Sequence, residues 1–214
     1  MKIVAIIPIK SNSTRVKRKN FIKIHNGKPL YKYFLDKIKK CNFDEIYVDS
    51  DSKEIMNFCN KNKINFIKRK KNLAQDNANG NDLLNYHSSI IKSDLYFQLF
   101  ITAPMMSIKT INKCINFLKL NNKFDSIFTC HKIYSWFWFN QKPVNYKPET
   151  LPRSQDAKPI VMETTGLYGI RNKTLKKYKC RIGKKPYFFE VEKKEALDLD
   201  TKEDFKILKS YLKN

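Results

Sequence analysis

Residues 3–8 read IVAIIP, an apolar run rich in β-branched side chains, and residues 10–19 then turn abruptly polar. A short, continuously apolar run of this kind predicts a strand buried on both faces of a mainly parallel sheet. In open α/β sheets ligands bind beyond the carboxyl ends of the strands, which is where Lys10, Ser11, Asn12, Ser13, Thr14, Arg15, Lys17, Arg18 and Lys19 fall. Their cations, hydroxyls and main-chain N–H groups suit phosphate oxygens. The loop has no glycine, which separates it from the Walker and dinucleotide loops. On composition alone it reads equally well as a solvated basic turn.

The 214 residues fit one α/β domain spanning 1–214, long enough to bury about 70% of the surface of the unfolded chain. The formal charge of +23 would ordinarily point to nucleic acid. Only six of the 43 basic residues are arginine, however, and the lysines are spread along the chain beside many Asn and Ile. That pattern is expected of translated AT-rich DNA, and no nucleic-acid partner is inferred from it. The five cysteines (41, 59, 114, 130 and 180) form no C-x-x-C pair and read as reduced, mostly buried thiols. With His25, His87 and His131 they make no metal-ligand pattern. No apolar run reaches the ~18 residues of a membrane span, and the first run is too short for a signal peptide. The expected location is the cytoplasm, with no membrane partner.

Apolar spacing predicts helices over residues 29–40, 53–61, 81–92 and 108–120, and strands over 45–50, 64–67, 95–101 and 125–131. The turn Asp49-Ser50-Asp51 either presents a carboxylate to a ligand or caps the following helix. Residues 135–139 (SWFWF) form a dense aromatic cluster, open to base stacking or to a partner surface. Near the carboxyl end, Asp198 and Asp200 stand two apart. On a strand they would share a face and one hard cation, whereas before a helix opening at Thr201 they would serve capping and solvation.

The spacing of Pro8, Lys10, Ser13, Arg15, Lys19 and Asn20, followed by Gly27-Lys28-Pro29-Leu30, resembles the signature of the cytidylyltransferases that activate sialic and related sugar acids. Ser13-Thr14-Arg15-Val16 is also similar to the enzymes that make CMP-Kdo. Residues 69–78 (RKKNLAQDNA) resemble the family's Arg-Pro-x-x-Leu-Ala-x-Asp-x-Ala loop, which closes over the cytidine. Leu151-Pro152-Arg153-Ser154-Gln155-Asp156 resembles its Arg-x-Gln-Asp segment, and residues 195–205 its acidic closing element.

The resemblance implies a three-layer Rossmann-like nucleotidyltransferase fold and a homodimer, with residues 132–165 projecting as an arm over the partner's site and Trp136, Phe137 and Trp138 in the interface. It implies transfer of CMP from CTP to an acidic sugar, a nonulosonic acid or Kdo-like, for surface glycans. Asp198 and Asp200 would hold Mg²⁺, and Asp200 with Lys10, Arg15 and Lys19 would carry the chemistry. Ser11, Asn12, Ser13, Asn20, Arg69 and Ala78 would bind the nucleotide, and Arg153, Gln155 and Glu163 the acceptor, unless Arg153 merely pairs with Asp156 at the surface. No general base stands out. Two departures bear on the acceptor: Phe100 and Met106 occupy positions where the sialic-acid branch has Gln and Arg. They leave open a phosphonate or other non-sugar acceptor, and beyond it a non-catalytic nucleotide- or RNA-binding module.

Overall fold

The computed structural model describes residues 1–75 and 77–213. Its centre is a seven-stranded sheet of β1 (Ile3–Ile9), β2 (Glu45–Ser50), β3 (Asn65–Lys68), β4 (Leu95–Leu99), β5 (Ser126–Ile133), β8 (Ile160–Arg171) and β9 (Pro186–Glu190) in the order β3-β2-β1-β4-β8-β5-β9. All strands but β8 run the same way. A separate hairpin joins β6 (Trp138–Phe139) to β7 (Lys142–Pro143).

Alternation along β1 explains the three layers. Ile3, Ala5, Ile7 and Ile9 pack into the larger core with α1 (Leu30–Ile38), α2 (Lys53–Lys61), α4 (Ile108–Leu120) and α6 (Lys202–Lys213). Val4 and Ile6 face the other way, onto Leu84 of α3 (Gly80–Ile90) and Leu175 of α5 (Asn172–Tyr178). With both faces covered, every second residue being polar would strand charge in a core, so β1 reads as continuously apolar. It runs on through Pro8 to Ile9, beyond the last residue paired with β4, where one open side tolerates proline.

Two expectations change. Asp198 and Asp200 do not lie on a strand. Their segment is irregular, tied to the end of β4 by Leu199 N–H donating to the Thr102 carbonyl (2.8 Å), with the Leu199 side chain buried in the core. Met106 does not face a pocket either. It is buried, and a Cβ on Gly166 would come within 2.2 Å of its Cε. The ammonium of Lys37, hydrogen-bonded to the carbonyls of Pro104 and Met106, holds that turn from below.

Burial pushes Lys37 down to about 8 and pushes the thiols of Cys41 and Cys59 up to about 11; Cys114 and Cys130 are raised for the same reason. Between pH 9 and 11 an unfolded thiol has lost its proton while the folded one keeps it, so the stability of these four groups drains away as pH rises. Lys37 acts oppositely from pH 8 to 10.5, because the folded state loses its proton first. Four thiols outweigh one lysine. Under reducing conditions the urea midpoint is therefore expected to fall between pH 8.5 and 10.5; a rise would contradict the burial of the thiols.

Candidate active site

The strand order reverses at β1: β2 and β3 build outward on one side, and β4 returns on the other. Loops leaving the carboxyl ends of β1 and β4 must diverge there, opening a crevice of the kind that α/β sheets use for ligands. A cavity of about 310 Å³ occupies it, walled by the loop after β1, the residues just beyond β4, and residues from 69–75 and 78–83. That volume lies at the lower end of small-molecule pockets.

Of the residues singled out in the sequence, Lys10, Asn12, Ser13, Arg15, Lys19, Asn20, Arg69 and Ala78 line this cavity. Ser11 faces away and anchors the loop: its N–H and hydroxyl both donate to the Asp51 carboxylate, at 2.7 and 2.5 Å. Asp51 thus serves the loop, and the N-cap of α2 is Ser52. Asn20 closes the loop by donating from Nδ2 to the Lys10 carbonyl (2.8 Å), while its buried Oδ1 has no partner. Asp76 lies outside the described residues.

Asp200 meets the loop from the far end of the chain. Its carboxylate accepts from Arg15 Nη1 (2.6 Å) and Lys19 Nζ (3.0 Å), and Lys19 donates also to the Leu199 carbonyl (2.6 Å). Asp204 holds the segment by accepting from the N–H groups of Asp200 and Thr201. Burial raises its carboxyl, but those hydrogen bonds outweigh burial and hold it below the usual range. Asp198 accepts from the Thr165 hydroxyl at 2.6 Å, and its Oδ1 is buried without a partner. Among the described residues no three His, Cys, Asp or Glu side chains form a metal-ligating cluster.

Arg69 is largely buried, with Nε on Asp49 Oδ1 (2.5 Å) and Nη2 on the Asp49 carbonyl (3.2 Å). Asp49 Oδ2 meets His87 Nε2 at 2.5 Å, and both side chains are fully buried. Burial pushes the Asp49 carboxyl up; His87 and the Arg69 guanidinium reverse this and hold it below its ordinary value. Asp49 therefore orients the arginine rather than a ligand.

β8 runs antiparallel to β4, so its early residues reach the cavity end of the sheet. There Glu163 accepts from the Tyr168 hydroxyl, brought beside it where the β5–β8 register slips between Phe128 and Cys130. Arg153 and Gln155 sit apart from the cavity on an exposed turn, with Arg153 Nε on Asp156 Oδ2 at 2.6 Å.

Sequence reasoning missed Gly80, Gln98, His87 and Arg181. Gln98 is buried in β4 and donates to the Gly80 carbonyl (2.9 Å), and the Arg181 guanidinium lies against Gly80 and Phe100. A signal was available in the scarcity of arginine. Where lysine dominates so heavily, the few arginines mark places that need a planar fork: Arg15 and Arg69 line the cavity, and Arg171 binds the carbonyls of Leu118, Asn121 and Phe124.

Comparison with known proteins gives the family and the fold. The Cytidylyltransferase family matches residues 4–213. The chain is 24% identical over 209 residues to a Helicobacter pylori protein described as pseudaminic acid cytidylyltransferase and UDP-2,4-diacetamido-2,4,6-trideoxy-beta-L-altropyranose hydrolase, covering 93% of this chain and 40% of that one. It is 24% identical over 216 residues to N-acylneuraminate cytidylyltransferase of Streptococcus agalactiae serotype V, covering 96% and 52%. The chain thus spans about half or less of these relatives. The solved structure of CMP:2-keto-3-deoxy-manno-octonic acid synthetase complexed with CTP superposes with a TM-score of 0.74 at 17% identity, covering 100% of this chain and 99% of that one. The fold is that of the Rossmann-like nucleotidyltransferases.

Proposed function

The chain belongs to the cytidylyltransferase family, and from that premise we propose that it transfers CMP from CTP to an acidic sugar, a nonulosonic or Kdo-like acid, with release of pyrophosphate. The observation that carries the proposal is the joining of the basic loop to Asp200 at the mouth of the switch-point cavity.

In this reading an acceptor hydroxyl attacks the α-phosphorus in line and pyrophosphate leaves. Lys10, Arg15 and Lys19 bind the triphosphate and stabilise the charge that grows on the leaving group, with Ser13 and Asn12 donating to its oxygens. Arg69, held by Asp49, reaches the nucleoside, and the free Oδ1 of Asn20 accepts from it. Asp198 and Asp200 suit a hard cation, because Asp198 offers a buried oxygen without a partner. Two carboxylates are enough for Mg²⁺ when phosphates and water complete its shell. Bound there, Mg²⁺ supplies positive charge to the phosphates.

The hairpin arm fits a homodimer. Trp138 and Phe139 are 58% and 71% exposed, and Trp136 and Trp138 pack on Tyr146, leaving apolar surface for a partner. Arg153 and Gln155 on the same arm would then act at the partner's acceptor site. Light scattering at micromolar protein is expected to give a dimer; a monomeric mass would sink the arm's role. The free thiols of all five cysteines support a cytoplasmic setting, where surface-glycan precursors would be activated.

A phosphonate acceptor is the second reading, favoured by Phe100 on the cavity wall. Pyrophosphate release from CTP and Mg²⁺ over a panel of sugar acids and phosphonates tests both. Turnover is expected with a sugar acid; none with any acceptor, together with tight RNA binding and a steep salt slope, would favour the non-catalytic module.

A further inference from the structure

Arg181 enters from the segment between α5 and β9, its N–H donating to Asn81 Oδ1 (2.9 Å). Its guanidinium carbon lies over Tyr168, 3.6 Å from the ring centroid, and 5.7 Å from that of Phe100. About a fifth of the side chain is exposed. A guanidinium carries five N–H donors, and a desolvated one needs acceptors. Among the described residues its side-chain partners are at long range: Gln98 Oε1 at 3.5 Å and, as an ion pair, Glu163 Oε1 at 3.7 Å. The same Glu163 oxygen already accepts from the Tyr168 hydroxyl.

Gly80 and Phe100, which flank the guanidinium, both line the cavity. A Cβ on Gly80 would stand 2.3 Å from Arg181 Nη1, so glycine there leaves the guanidinium its room. Contact with the Tyr168 ring covers one side of the guanidinium, and its N–H groups are what it can offer to a new partner. An oxyanion is the ligand that such an edge takes in two parallel hydrogen bonds.

We propose that Arg181 binds the carboxylate of the acceptor in its own chain's cavity, with Gly80 as the residue that lets it approach. The assignment rests on the cytidylyltransferase reading and adds to it the group that selects an acid over a neutral sugar. Arg153, three-quarters exposed on the arm and paired with Asp156 at 2.6 Å, lacks the largely buried setting and long ion pair of Arg181.

Steady-state pyrophosphate release with CTP and a sugar acid tests it. Arg181→Met is expected to raise the acceptor KM about 10- to 100-fold and leave the KM for CTP near the parent value. Arg181→Lys should recover part of the loss, since it restores charge without the fork. Gly80→Ala, which keeps the charge but displaces it, should raise the acceptor KM in the same direction. Against the amide of the same acid, parent and Arg181→Met should be equal. An unchanged acceptor KM in a folded Arg181→Met, a rise confined to CTP, or a rise seen only in Arg153→Met would overturn the assignment. If the parent turns over phosphonates alone, the sugar-acid reading falls. Arg181 then stands as the acceptor's oxyanion site if the phosphonate KM rises in Arg181→Met, and falls if it does not. No turnover with any acceptor removes both.

Discussion

Asp200→Asn is expected to lower kcat by about 1,000-fold while the fold stays intact. The amide keeps the shape of the side chain and removes the charge that gathers Arg15 and Lys19. Arg15 is two-thirds exposed, where an ion pair contributes about 0–1 kcal/mol, and the more buried Lys19 keeps the Leu199 carbonyl as an acceptor, so the urea midpoint should fall modestly without loss of the fold. Kinetics under varied Mg²⁺ separate the two roles proposed for the carboxylate. Partial recovery at high Mg²⁺ supports a metal ligand; a loss indifferent to Mg²⁺ leaves only the orientation of the cations. An unimpaired variant would contradict both.

The second large effect is on stability. Asp49→Asn leaves the Arg69 guanidinium buried without its counter-charge and His87 Nε2 without its carboxylate partner. Removing one member of a buried pair costs about 3–5 kcal/mol, to be read from urea denaturation monitored by tryptophan fluorescence. Replacing all three interacting groups by apolar residues, Asp49→Leu with Arg69→Met and His87→Leu, should recover much of that stability. It should not recover CTP affinity, because the arginine that reaches the cavity is gone. Recovery of both would show that Arg69 serves the core alone.

The contrast between these two aspartates illustrates how differently parts of the chain can be read from sequence. Asp49 ends a strand and precedes a helix, a setting in which capping and ligand binding are equally reasonable from local pattern. Its actual role depends on Arg69 and His87, which arrive on β3's following turn and on α3. Asp198 and Asp200 read either as a strand pair sharing one face or as capping residues before a helix. Their segment is instead an irregular one, held by Leu199 in the core and by one bond to Thr102. Met106 belongs to the core, and Arg181, carrying no motif, lies against the cavity wall because β8 and the turn before β9 fold back beside β4.

Local pattern was sufficient wherever the physics is local. The apolar run of β1, the helical spacing of α1, α2 and α4, and the polar loop beyond Ile9 each follow from backbone geometry and from burial on one or both faces. Together they determine an α/β sheet with a cationic loop at a strand end. Tertiary structure alone decided which distant groups meet that loop. The contact between Arg15 and Asp200 spans 185 residues, and Arg181 reaches Gln98 across 83. Contacts at such separation are set by strand order and by the reversed direction of β8, which no residue encodes by itself. The basic loop alone leaves a phosphate cradle and a solvated turn indistinguishable; only the fold shows that Asp200 is brought against its Arg15 and Lys19.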